Sequence, residues 1–194
     1  MNFYTGQVPA NYVFTWHKAN VRSISWLEDE VGFVSSDADC TIAVWMLPRQ
    51  VQNAELPAPL WTYKTKSLVN INSVIAFRIP GEIEKDHKTT NDKIQVYASL
   101  QDGTVLELID RRVQCKFQAS SPYQQLLMFK NKIAIIGATH SGQLQSLPLP
   151  LKEQPEDLAV HETPLHAGAV TRVCCTHDQG FVFTCSADGS FAIS

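Results

Sequence analysis

What most constrains this chain is a strand–turn–strand unit that occurs twice. In the stretch 17–45, HKANVRSISWLEDEVGFVSSDADCTIAVW, His17 precedes an apolar run at 21–26 and a turn-like cluster at 27–30 leads to a second run at 31–36. An acidic turn with Asp39 and Cys40 at its apex then feeds 41–45, where β-branched and aromatic residues alternate as in a half-buried strand. Near the C-terminus His166 opens the same order, with runs at 169–176 and 180–186 and an Asp188-Gly189 turn. The step from His to turn acid is 22 residues in both, 17 to 39 and 166 to 188. A unit this small buries little by itself, so the pattern predicts a fold made by stacking copies.

These residues resemble the WD repeat, whose blades stack into a WD40-type β-propeller. The resemblance implies a hydrogen-bonded network of His, strand hydroxyl, turn acid and strand indole inside each blade. Carried onto this sequence, it would comprise His17, Ser35, Asp39 and Trp45 in the first copy. The last copy would use His166, Thr184 and Asp188, with Ser194 standing where the Trp belongs. The need for such a network is physical. A blade is a thin twisted sheet, and a satisfied buried polar cluster fixes how loop, turn and strand meet, whereas an orphaned member costs ~1–3 kcal/mol. Loss of Asp39 is therefore expected to hurt more than loss of an exposed acid.

Repeats of this kind take ~40–45 residues, so the fold expected is all-β, a partial or minimal propeller of about four blades. The expected divisions are an outer strand of an adjacent blade at 12–16, a blade at 17–65, degenerate blades at 66–118 and 119–163, and a truncated blade at 164–194. In the first, three prolines at 47–59 mark a surface connection before an outer strand at 60–65, with Trp61 and Tyr63 on one face. The second keeps a Gln101-Asp102-Gly103 hairpin turn but has Ala98 at the hydroxyl position and Leu108 at the Trp position. It should rest on apolar packing. The third keeps only the period, with its outer strand expected at 157–162. The fourth stops inside its third strand, and segment 12–16 could in principle supply the missing one. An incomplete propeller is the favoured reading.

Bulk properties narrow the function. Sixteen basic against 19 acidic residues give a net charge of −3, and no basic stripe favours nucleic acid. No apolar run reaches the ~18 residues of a membrane span, and MNFYTGQVPANY is not a secretory leader. Five cysteines without framework spacing fit a reducing, cytosolic compartment.

His17, Ser35 and Asp39 have the residue types of a hydrolase triad but lack a nucleophile elbow, so a structural role is expected and no catalytic residue. Cys174, Cys175, His177 and Cys185 do not have the spacing of a zinc site. No glycine loop suits a phosphate, and no cofactor is expected. Trp16, Trp26, Phe33, Trp45 and Trp61 are expected between blades as core. The polar insert 80–92 reads as a surface loop, with Lys85, His87 and Lys88 the expected partner contacts, tubulin included.

A narrower resemblance rests on HKANVRSISW, HSGQLQSLPLPL and HAGAVTRVCCTHDQGFVFTCSADGS, with the proline-punctuated PLPLKE segment its most specific piece. Together these are similar to the cilia- and flagella-associated protein fifty-seven family, WD-repeat adaptors of motile cilia. That resemblance implies a non-catalytic scaffold of the axoneme, associated with inner dynein arms or doublet-microtubule regulatory complexes. It also leaves room for completion of the propeller by another chain. The chain has no heptad stretch, so the family's coiled-coil role does not carry over. A generic WD40 adaptor of trafficking or ubiquitin-ligase complexes is the alternative.

Overall fold

A computed structural model describes residues 13–27, 31–47, 58–66, 68–79, 93–129, 133–153, 160–176 and 178–194. Among them are fifteen strands and no helix. The first sheet contains β1 (Val21–Trp26), β2 (Gly32–Asp37), β3 (Thr41–Met46) and β4 (Trp61–Lys64). The second contains β5 (Ile71–Ile79), β6 (Lys93–Leu100), β7 (Thr104–Ile109) and β8 (Arg112–Gln118). The third runs through β9 (Tyr123–Met128), β10 (Ala134–Thr139), β11 (Gln143–Pro148) and β12 (His161–Pro164), and the last is β13 (Val170–Cys175), β14 (Val182–Ser186) and β15 (Phe191–Ile193). Every sheet is an antiparallel meander in chain order. The chain is thus a four-bladed propeller arrangement.

Period-two alternation explains the stacking, because each strand shows one face to the preceding sheet and the other to the next. Val34, Ile42, Val44 and Trp61 of the first sheet meet Val74, Val96, Ala98, Leu106 and Leu108 of the second. The reverse face of the second sheet, with Ile75, Phe77, Tyr97 and Phe117, packs on Tyr123, Leu126, Ile135 and Leu147 of the third. The third then presents Ile136, Ala138 and Leu144 to Val170, Val173 and Val182 of the fourth. Residues fully buried at these joints contribute about 1.5–3 kcal/mol each, so the core lies between blades. The innermost strands β1, β5, β9 and β13 touch in sequence, and among the described residues no comparable interface joins β13 back to β1.

Several expectations are corrected. Residues 13–17 are irregular and form no strand, while Tyr12 lies outside the described residues. This segment folds over the first sheet, where the Phe14 ring sits edge-on against Phe33 and Trp45 with centroids 5.1 Å away from each. It therefore does not complete the fourth sheet. The outer strand expected at 157–162 is β12 at 161–164, with 154–159 outside the described residues. Trp45, Trp61 and Phe33 are buried, but Trp16 and Trp26 are 41% and 58% exposed. Their face of the first sheet has no neighbouring sheet among the described residues.

Candidate functional site

The first blade's polar network forms around a different acid from the one the spacing selects. His17 Nδ1 lies 2.7 Å from Asp37 Oδ2 and its Nε2 2.7 Å from Ser35 Oγ, while the Trp45 indole N–H donates to Ser35 Oγ at 2.8 Å. One assignment satisfies all of them: Nδ1–H donates to Asp37, Nε2 accepts the Ser35 hydroxyl, and the hydroxyl oxygen accepts from Trp45. Asp37, only 2% exposed, also accepts the backbone N–H groups of Asp39 and Thr41, each at 3.0 Å. Asp39 instead receives the Lys64 ammonium at 2.6 Å on the surface. Its carboxylate, hydrogen-bonded to Lys64, raises that ammonium above its ordinary value, and loss of solvation works against it.

Turn geometry decides between the two acids. Asp37 and Asp39 share a parity and so an approximate side, but the chain reverses after Asp37. Cys40 takes φ 61°, the left-handed conformation that Gly103, Gly142 and Gly189 take in the other turns. An L-residue there costs about 1–2 kcal/mol. The thiol partly offsets this by donating to the Val69 carbonyl at 3.2 Å, a tie to the segment that leads into the next sheet.

In the fourth blade His166 Nε2 lies 2.8 Å from Thr184 Oγ1 and its Nδ1 2.6 Å from Ser190 Oγ. The Ser190 hydroxyl donates to Asp188 Oδ1 at 2.5 Å, so the acid reaches the histidine through a serine. Asp188 also accepts the N–H groups of Ser190, Ala167 and Gly168. The hydroxyl and N–H bonds from Ser190 hold its carboxyl well below the usual carboxylate range against an opposing loss of solvation, and the Gly168 and Ala167 N–H groups add to the lowering. What the two blades share is the His-to-hydroxyl step of 18 residues.

The middle blades are not merely apolar. Ala98 and Leu108 are buried as expected, but the opposite face of that sheet holds Glu107, 6% exposed, which accepts the Tyr97 hydroxyl at 3.1 Å and a short bond from Gln95. In the third sheet the Tyr123 hydroxyl donates to Gln145 Oε1 at 2.5 Å, and the Gln145 amide donates to Glu162 at 2.7 Å. Gly137, opposite Leu126, holds the place that Ser35 holds opposite Ile24, and a Cβ there would lie 2.3 Å from the Tyr123 ring. Burial first, then the Glu107 charge and hydrogen bond, pushes the Tyr97 phenol far above its ordinary value, and burial followed by Glu162 does the same to Tyr123.

A second repeated device joins the blades. Each innermost strand carries a bulge, and in β1, β5 and β9 the residue after it reaches the next inner strand. Ser23 Oγ accepts the Val74 N–H at 3.1 Å, Ser73 Oγ the Leu126 N–H at 3.0 Å, and Gln125 Oε1 the Val173 N–H at 3.0 Å. Arg172 holds the corresponding place in β13.

Chemically, this geometry presents surfaces. Ser35 Oγ is closed between His17 and Trp45, so the hydrolase-like trio has no free nucleophile. Among the described residues no His, Cys, Asp and Glu cluster is arranged to hold a metal ion, and no helix is long and apolar enough to cross a membrane. Among the described residues apolar surface is open at both ends of the stack: Ile24 and Trp26 on the first sheet, Phe191 and Ile193, 76% and 55% exposed, on the last. Lys85, His87 and Lys88, like His177, lie outside the described residues.

With this geometry in place, comparison with known proteins is direct. The family described as "WD domain, G-beta repeat" matches residues 10–46 and 159–193, the first and last units. The chain is 25% identical over 210 residues to cilia- and flagella-associated protein 57 A of Tetrahymena thermophila, covering 98% of this chain and 16% of that protein. It is 24% identical over 205 residues to cilia- and flagella-associated protein 57 C of the same organism, covering 98% of this chain and 14% of that protein. It therefore spans under a fifth of the length of either relative.

Proposed function

We propose that this chain of WD40 repeats is a non-catalytic docking scaffold of the motile-cilium axoneme, held among inner dynein arm or doublet-microtubule regulatory components. The observation that carries the reading is the contrast between joints and ends. Side-chain oxygens clasp each inner strand to the next, while Ile24 and Trp26 at one end and Phe191 and Ile193 at the other are left open. Exposed apolar surface of this kind marks association. A rigid stack with sticky ends and turns at fixed positions serves to hold several proteins at once. Similarity to two ciliary proteins supports the compartment.

Partners on this reading are other axonemal proteins, tubulin among them, and sheets of another polypeptide that complete the propeller. The test is to tag the native protein in a ciliated cell and fractionate the cilia. Retention on salt-extracted doublets together with dynein-arm components is the expected result. A tagged protein confined to the cell body, or recovered with trafficking or ubiquitin-ligase components, would replace this reading with the generic adaptor.

A further inference from the structure

The clasps between sheets leave one half of a clasp open at each end of the stack. Ser23, Ser73 and Gln125 each hold an oxygen to the N–H of the next inner strand, at Val74, Leu126 and Val173. Register puts Ile24, opposite Ser35 and 61% exposed, in the place of those donors on the first sheet. On the last sheet Arg172, opposite Cys185, holds the place of the acceptors. We infer that the last sheet seats, over Phe191 and Ile193, a sheet of different sequence whose inner strand presents an Asp or Glu to Arg172, and that Arg172 bars a second copy of this chain from that seat. The inference rests on the docking reading above and names the partner's chemistry at one end.

The first support is what Arg172 can do. A guanidinium has five N–H donors and no acceptor, so it cannot clasp an amide. Its Nη1 donates to the Thr171 carbonyl at 2.8 Å. The ion pairs among the described residues are His17 with Asp37 and Lys64 with Asp39, so no carboxylate there neutralises it. A sheet laid over this face strips water from the charge, and a charge buried without a partner is far costlier than a neutral group. The neighbour has to bring the counter-charge. A carboxylate suits the planar fork, which donates to it in two parallel hydrogen bonds.

The second support is the company Arg172 keeps. Across the strands it faces Cys185, which faces Phe191, while Cys174 beside it faces Phe183 and Ile193. Amid these apolar and thiol groups a single cation decides which apolar sheet is accepted, because rejection of the wrong partner comes from the group it leaves unpaired. A second copy of this chain would bring Ile24 and Trp26, a fair match for Phe191 and Ile193 in polarity. It would also set the Ile24 N–H against the guanidinium, donor against donor. Gln125 marks the contrast, since at the same register place it supplies an acceptor and is joined to Val173.

The test uses purified full chain and sedimentation equilibrium. The parent is expected to stay monomeric. Ile24→Glu gives the first sheet the carboxylate that Arg172 lacks, so chains should join head to tail, with an association constant about tenfold or more above the parent's that falls with added salt. Ile24→Lys, or Arg172→Glu added to Ile24→Glu, should restore the monomer. Arg172→Gln alone copies the Gln125 clasp and should admit a second copy without that salt dependence. Circular dichroism checks that each variant is folded. Parent chains that associate as strongly as Ile24→Glu, an Ile24→Glu chain that stays monomeric, association that survives the added Arg172→Glu, or a monomeric Arg172→Gln would each overturn the inference. Sedimentation needs no ciliary component, so its outcome and that of the cilia fractionation fail independently.

Discussion

At the scale of single residues, Asp37 and Asp39 make a sharp pair. Asp37 is buried and holds the His17 ring and two backbone N–H groups, so Asp37→Ala leaves three donors without their acceptor. The expected loss is about 3 kcal/mol, read as a drop in the urea midpoint. Asp39→Ala removes one exposed partner of Lys64 and should leave the midpoint close to that of the parent. Equal losses in the two variants would return the lock to the acid that the 22-residue spacing selects. The sequence made the histidine and the hydroxyl legible because both sit on regular elements with a fixed step. The acid was not legible. Three consecutive residues, Asp37, Ala38 and Asp39, cross a reversal whose shape depends on Cys40 adopting a positive φ, and no periodicity survives there. Likewise nothing in the spacing of 166, 188 and 190 says that Ser190 stands between His166 and Asp188.

Sheets and their joints are the next scale. Alternation placed the strands and gave Trp61 and Tyr63 a common face, since Val44 pairs with Trp61 and Ile42 with Tyr63. It could not reveal the buried phenols, because their partners come from positions far apart in sequence: Tyr97 with Glu107, Tyr123 with Gln145 and Glu162 beyond. A search for polar residues at inward positions of neighbouring strands would have found them. Their effect on stability has a definite sign. Both phenols are raised, so the folded state keeps protons that the unfolded chain begins to release near pH ~10. This stabilisation is fully present below that pH and is lost as pH rises toward the folded-state values, at up to ~1.4 kcal/mol per unit and per tyrosine. Urea midpoints should be level from neutrality to about pH 9 and fall steeply above about pH 10, with a shallower fall in Tyr97→Phe. A profile that stays level above that point would contradict the buried phenols. The clasps predict a second effect. Ser73→Ala removes no bond within any sheet, yet it deprives the Leu126 N–H of its acceptor in the next one. It should cost about 1 kcal/mol and raise hydrogen exchange at Leu126.

For the whole molecule the open question is what covers its two ends, and the thiols supply a built-in reporter. Cys174 and Cys185 are exposed, whereas Cys40 and Cys115 are buried. Register shows where the exposed pair points: Cys174 faces Phe183 and Ile193 across the strands, and Cys185 faces Phe191. All five therefore lie on the face of the last sheet turned away from the third. Sequence could say that Cys174 and Cys175 point to opposite sides, but not which side a neighbour would cover, because that depends on the direction in which sheets stack. For the isolated chain, a brief maleimide pulse in native buffer should modify Cys174 and Cys185 quickly and reach Cys40 and Cys115 only after unfolding. The same pulse on the native protein within isolated cilia distinguishes two assemblies. Protection of Cys174 and Cys185 together means that a sheet or partner is seated over Phe191 and Ile193, as the docking reading requires. Labelling as fast as in the isolated chain would mean that this face stays bare, leaving the Ile24 and Trp26 face of the first sheet as the apolar end on which a partner lands.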